Sequence, residues 1–210
     1  MTRVIAGIAG GRRLAVPPGT TTRPTSDRAR EGLFASLLSE LGTLDGARVL
    51  DLYAGSGAIG LEALSRGAAR VRLVESDPRA GAVIKANITV IGLPGATLAV
   101  DRVERLLSRP PADNNDNKDN TDRFDLVVAD PPYALTEEAV GRVLTLLQAG
   151  WLADDALVVI ERATRSGPVD WPPGFLPGKS RRYGEATFWY GWYGNEAGAG
   201  QTGTASRSEA

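Results

Sequence analysis

The stretch VLDLYAGSGAIGLEALSRGA, residues 49–68, decides the fold class. It opens as an apolar strand and turns through Gly55-x-Gly57-x-x-Gly60 into a helical pattern. Glycine allows a tight turn and lets the backbone approach a ligand closely, so this loop marks a βα unit that cradles a nucleotide-like cofactor. Glu75 and Asp77 stand at the end of the next strand, where a carboxylate can accept hydrogen bonds from ribose hydroxyls.

Outward from this loop, strand and helix patterns alternate. Strands are predicted at 47–52, 70–75, 96–100, 124–129 and 156–161, and helices at about 58–66, 78–91 and 136–147. FDLVVA (124–129) and ALVVIE (156–161) are almost wholly apolar, as strands covered on both faces should be. The pattern predicts an α/β fold around a parallel sheet. Two short strands at about 179–183 and 186–192 lie too close in sequence to pair otherwise than antiparallel. A mostly parallel, seven-stranded sheet ending in an antiparallel hairpin follows, unlike the usual dinucleotide-binding sheet.

Upstream, residues 3–8 and 12–16 flank Gly10-Gly11 and read as a β-hairpin, broken by Pro17-Pro18-Gly19. A helix follows over about 27–41, with Ser26 as its N-cap. The expected organisation is an N-terminal β-hairpin extension (1–22), a cofactor-binding domain (23–193) and a tail (194–210) rich in Gly, Ser, Thr and Ala. The polar run ADNNDNKDNTD places a disordered surface insertion at 111–122, and the tail is expected to be disordered too.

Composition narrows the chemistry. The chain has no cysteine and no histidine, which excludes disulfides, thiolate nucleophiles, Ser-His-Asp mechanisms and the usual zinc sites, so no metal is expected. Carboxylates, hydroxyls, backbone groups and a bound cofactor remain. No apolar run approaches the roughly 18 residues of a membrane span, and MTRVIAGIAGG lacks a signal-peptide core. A cytoplasmic protein is expected, and nothing demands more than a monomer. The overall charge of −1 hides an asymmetry, because residues 1–31 carry Arg3, Arg12, Arg13, Arg23, Arg28 and Arg30 against Asp27 and Glu31 alone. Guanidinium groups match phosphate in a bidentate way, so this end suits a polyanion.

The glycine loop alone does not choose between cofactors; Asp51 does. It ends the strand four residues before Gly55, where a carboxylate would repel the pyrophosphate of a dinucleotide. S-adenosylmethionine carries an ammonium and a sulfonium, which a carboxylate attracts. Glu75 is the better ribose ligand because it ends its strand. Asp77 precedes Pro78 and reads mainly as the N-cap of the next helix, with a cofactor role as the alternative. Asp101 either accepts from the adenine amino group or caps a helix over 102–107.

FDLVVADPPY (124–133) places Asp130 at the carboxyl end of the fourth strand, the edge where open α/β sheets bind ligands. Pro131 and Pro132 stiffen the loop and remove two amide donors. The lone pair of an exocyclic amine is delocalised into its ring. A carboxylate and a carbonyl accepting its two N–H bonds would aim that lone pair at a methyl sulfonium, and the Tyr133 ring could stack on the base. Asp130, Pro131 and Tyr133 are the candidate catalytic residues of an amino-methyltransferase.

In order along the chain, RVIAG…GRRL near the start, RPTSDRARE (23–31), residues 49–68, VESD (74–77), DPPY (130–133) and RRYGEATFW (181–189) resemble the bacterial 16S ribosomal RNA guanine-N2 methyltransferases of the small subunit. RPTSDRARE ahead of the glycine loop is the most particular of these motifs. The resemblance implies a Rossmann-like class I methyltransferase fold, S-adenosylmethionine as cofactor, and the 2-amino group of one guanine in 16S rRNA or an assembling 30S subunit as target. It implies cofactor contacts from Asp51, Gly55, Gly57 and Glu75, with Tyr53, Asp101 and Thr25 as further candidates. It implies RNA contacts from Arg3, Arg12, Arg13, Arg23 and Arg28, the Arg23-Pro24-Thr25 segment lying over the site. The alternatives are another planar amino group (DNA adenine or cytosine, or protein glutamine), a nicotinamide-dependent oxidoreductase using the same glycine loop, and a catalytically silent RNA-binding module.

Overall fold

The computed structural model describes residues 2–18, 27–109 and 123–194. The expectations for Arg23, Thr25, Ser26, the 111–122 insertion and the tail after Gly194 fall outside the described residues.

The chain first makes a two-stranded antiparallel sheet, β1 (Thr2–Arg3) with β2 (Arg13–Leu14). Helix α1 (Asp27–Leu41) follows, and then β3 (Arg48–Leu52), α2 (Ala58–Ser65), β4 (Arg70–Glu75), α3 (Pro78–Ile91) and β5 (Ala96–Val100). Next come α4 (Val103–Leu107), β6 (Phe124–Ala129), α5 (Glu137–Leu147) and β7 (Leu152–Ala163), and β8 (Phe175–Tyr183) and β9 (Ala186–Tyr193) close the fold. The main sheet has seven strands in the order β5-β4-β3-β6-β7-β9-β8. The first five are parallel, and β9 and β8 are added antiparallel at one edge. This is the Rossmann-like class I methyltransferase architecture expected from the sequence.

Strand alternation divides the core in two. Val49, Leu73, Val128 and Val159 face α1, α2, α3 and the N-terminal hairpin, which contribute Phe34, Leu61, Ile84 and Leu14. Leu50, Val74, Val127 and Val158 point the other way, against Leu107, Leu144 and Trp151. Successive side chains of a strand point to opposite faces, so an all-apolar strand needs cover on both.

The structure lengthens three predicted strands and shortens three, β3 by a single residue. β7 begins at Leu152, four residues early, because Leu152 pairs with Phe124 across a bulge and Asp155 absorbs the irregularity at φ 61. β8 begins at Phe175 and runs through Pro177 and Gly178, residues that argue against a strand in sequence. It is the edge strand, so the missing Pro177 amide leaves no ladder bond unmade on its outer side. The N-terminal strands are only two residues each, because the segment between them bonds to α2 instead. Ile5 and Ala6 N–H donate to the buried Glu62 carboxylate at 2.6 and 3.0 Å, and Ala9 N–H donates to Ser65 Oγ at 2.9 Å.

Candidate active site

β3 lies at the centre of the parallel strands, and its Asp51 aligns with Leu73 of β4 and Val128 of β6. The carboxylate is 2% exposed and accepts the Gly60 N–H at 2.8 Å. Burial pushes its pKa up to about 7, against the Gly60 hydrogen bond and together with the charges of Asp130 and Glu75. This acid is destabilised by its surroundings and gains from a cationic ligand.

The glycine loop is held in place by the neighbouring strand. Ala54 N–H donates to Val74 O at 3.0 Å, and Gly55 N–H donates to Glu75 Oε2 at 2.9 Å. Gly57 sits at φ 77, and a Cβ there would stand 2.8 Å from Leu73 Cδ2. At Gly60 a Cβ would meet Val71 Cγ1 at 2.7 Å and Asp51 Oδ2 at 3.0 Å. The last two glycines thus allow helix α2 to lie on β3 and β4. Tyr53 takes φ 60, a region that ordinary side chains avoid. Its buried hydroxyl has no hydrogen-bond partner, and burial raises its pKa.

Glu75 accepts the Gly55 N–H on one oxygen and the Asp77 N–H on the other, at 2.9 and 2.8 Å. Oε1 also accepts the Ser76 hydroxyl at 3.5 Å, whereas Oε2 retains a second lone pair for a ligand. Asp77 caps α3, its Oδ1 accepting the Arg79 N–H at 2.8 Å.

Asp130 follows β6, its N–H donating to Leu52 O at 3.3 Å. The loop after it is braced by Leu135 N–H to Pro132 O at 2.8 Å. The buried Arg162 adds a bond to Leu135 O at 3.0 Å and an ion pair to Glu137. Tyr133 stands half exposed at the rim, with its pKa raised by burial and by the charges of Glu161, Asp130 and Glu185.

These groups converge on one cavity of about 260 Å³. Asp51, Tyr53, Gly55 and Glu75 line one part of it, and Asp130, Pro131 and Tyr133 line another. Thr2, Val16, Pro17 and Arg30 complete the wall from the N-terminal side. Asn87, 1% exposed, ties that segment to the glycine loop. Its Nδ2 donates to Ala15 O and Ser56 O, and its Oδ1 accepts the Ala15 N–H, all at 2.9 Å.

Other predicted residues lie apart. Gly57 supports the loop from behind and does not line the cavity. Asp101 also lies off the lining; it accepts the Arg102 N–H at 2.6 Å and pairs with Arg105, which lowers its pKa. Arg12 donates to Val90 O at 3.1 Å and to Ile91 O, the last carbonyls of α3, where a cation is favoured. Arg3, Arg13 and Arg28 are exposed.

Sequence reasoning missed Arg30, Arg162, and the pair Arg165 and Arg182. The last two line a neighbouring cavity of about 300 Å³ that shares Tyr133 with the first and also holds Glu185. The signal for Arg182 was present in RRYGEATFW, whose closing turn carries it beside the site. Arg165 sits in the connection after β7, with no pattern around it.

The profile of the family described as Conserved hypothetical protein 95 matches residues 2–192. The chain is 35% identical over 175 residues to Ribosomal RNA small subunit methyltransferase D of Escherichia coli (strain K12), covering 80% of each. It is 33% identical over 161 residues to the protein of the same name from Haemophilus influenzae, covering 76% of this chain and 77% of that one. Among solved structures, the yhhF protein of Escherichia coli superposes with a TM-score of 0.75 at 31% identity, covering 91% of this chain and 97% of the other.

Proposed function

The chain belongs to the Conserved hypothetical protein 95 family, and from that premise we propose that it transfers a methyl group from S-adenosylmethionine to the exocyclic 2-amino group of a guanine in 16S rRNA. The observation that carries this reading is the single cavity that joins Asp51 and Glu75 to Asp130 and Tyr133. The residues fit the cofactor. Asp51 is a buried carboxylate in need of a cation, and Glu75 Oε2 has a lone pair to spare beside the glycine loop.

S-adenosylmethionine supplies, when bound, an electrophilic methyl carbon on a sulfonium. Asp51 would hold the ammonium, and Glu75 the ribose hydroxyls. The Asp130 carboxylate and Pro131 carbonyl would accept the two N–H bonds of the target amine, orienting its lone pair for in-line attack. Tyr133 would stack on the base and fix its plane. Asp130 or water would take the proton that the amine loses as the new C–N bond forms. A stacked guanine cannot reach the cavity floor, so the nucleotide must be flipped out or lie in a loop. The arginines beside Tyr133, with Arg3, Arg13 and Arg28, would hold flanking phosphates, as an rRNA or assembling 30S partner requires.

The test is methyl transfer from labelled cofactor to naked 16S rRNA, assembled 30S particles and DNA, followed by nucleoside analysis. Label should appear as N2-methylguanosine and not in DNA. Asp130→Ala should abolish transfer while S-adenosylhomocysteine affinity stays within a few-fold. Label in another nucleoside, or cofactor affinity lost with Asp130, would overturn the assignment.

A further inference from the structure

The main cavity is acidic: Asp51, Glu75, Asp77 and Asp130 all line it. Against them stands one cation. Arg30 is the sole lysine or arginine among the described lining residues, and it is 1% exposed. It comes from the first turns of α1, where the sequence offered it only as one of six arginines in a basic end.

Its guanidinium is held from several sides. Nη1 donates to Thr2 Oγ1 at 3.1 Å, and Nη2 donates to Arg3 O and to Asp27 Oδ1, the latter at 3.1 Å. Thr2 Oγ1 in turn donates to the same Asp27 oxygen at 2.8 Å. The bracing leaves Nε buried without a hydrogen-bond partner. Asp27 is half exposed, so among the described residues the ion pair of this buried cation is with a carboxylate that solvent also competes for. Buried charges of this kind are normally paired and fully hydrogen-bonded, and an open buried donor calls for one more acceptor.

S-adenosylmethionine has one anionic group, its α-carboxylate. Four cavity carboxylates suit its ammonium and sulfonium and repel that group. We propose that Arg30 binds the α-carboxylate of the cofactor and is the residue that makes the site select an intact amino-acid end. The assignment rests on the S-adenosylmethionine reading above. Thr2 and Asp27 then act as positioning residues that hold the guanidinium before the ligand arrives, so little ordering remains at binding. β1 thereby becomes part of the cofactor site through Thr2 and the Arg3 carbonyl.

Calorimetric titration tests this with two ligands, S-adenosylhomocysteine and its decarboxylated analogue, against the wild type, Arg30→Met and Arg30→Lys. The wild type should bind the decarboxylated ligand about 10- to 100-fold more weakly, the range for losing one charge-assisted hydrogen-bonded contact. Arg30→Met should bind both ligands alike, within about threefold, and Arg30→Lys should fall between. A purely structural Arg30 would instead weaken both ligands equally in Arg30→Met and preserve their ratio; that result overturns the proposal. Equal binding of both ligands by the wild type overturns it whether or not the variants fold. If Arg30→Met fails to fold, an unchanged ratio in Arg30→Lys overturns it. Absence of S-adenosylhomocysteine binding to the wild type would remove the cofactor reading itself, which is a distinguishable outcome.

Discussion

Replacing Asp51 by asparagine should make the ligand-free protein more stable at pH 8 while disabling its cofactor site. The carboxyl pKa rises from an ordinary 3.8 to about 7 in the fold, mainly through burial. Between those values the folded state keeps a proton that the unfolded chain has released, so stability contributed by this group falls as pH rises. Above pH 7 the loss is complete at about 4 kcal/mol, taking 1.36 kcal/mol per pKa unit. Asparagine never ionises and keeps an oxygen for the Gly60 N–H, and the charge assistance of that bond is already contained in the shifted pKa. The net gain at pH 8 is therefore about 4 kcal/mol, shrinking as pH drops through 7 and vanishing near pH 4. Urea denaturation of both proteins from pH 4 to 8 measures this, and their difference cancels all other titrating groups. The variant should also bind S-adenosylhomocysteine at least about 100-fold more weakly at pH 8, having lost a buried charge partner. A variant no more stable than wild type at pH 8, or a difference independent of pH, would refute the argument that Asp51 is held ionised for a cationic ligand.

Four further outcomes are expected. Gly60→Ala places a Cβ 2.7 Å from Val71 and 3.0 Å from Asp51, and should lower stability by about 1–3 kcal/mol in the same denaturation assay. Gly55→Ala meets nothing closer than 4.0 Å, so only its φ of 56 opposes it, at about 1 kcal/mol. Arg165→Ala with Arg182→Ala should weaken binding of a 16S rRNA fragment and reduce the slope of log affinity against log salt by up to about two; an unchanged slope would remove this pair from the RNA path. Arg12→Ala should lose under about 1 kcal/mol of stability with the salt slope unaltered, whereas Arg13→Ala should do the reverse.

The parallel half of the fold was legible because its signals are local. A glycine loop, four apolar strands and a Pro-led helix start at Pro78 each read without reference to the rest, and Asp77 capped its helix as its position before Pro78 implied. The antiparallel edge was harder to bound. Whether Pro177 can sit in a strand depends on which side of that strand is free, a property of the assembled sheet rather than of the segment. In the site, Asp51, Glu75 and Asp130 announced themselves by standing at strand ends. Arg162 could not, because its role is to hold Leu135 and Glu137 from a strand more than twenty residues away.

The arginines show where a residue count stops being informative. Six in the first 31 residues read alike as a polyanion surface, yet the fold distributes the described ones into different roles. Arg12 completes the carbonyl end of α3. Arg30 is withdrawn into the cavity wall, and the Arg3 carbonyl helps to hold it there. Among the described residues Arg3, Arg13 and Arg28 present exposed side chains, as does Arg12, whose guanidinium is engaged at the end of α3. Charge density in the sequence therefore overstates the electrostatic footprint available to RNA at this end, while the arginines flanking Tyr133 add to it where the sequence drew no attention. The consequence is a shift of the expected RNA path toward the mouth that Tyr133 shares between its two cavities. On the function proposed above, a backbone held by Arg165 and Arg182 would bring its base to the Tyr133 rim, while the N-terminal hairpin would serve the cofactor site through Thr2 and the Arg3 carbonyl.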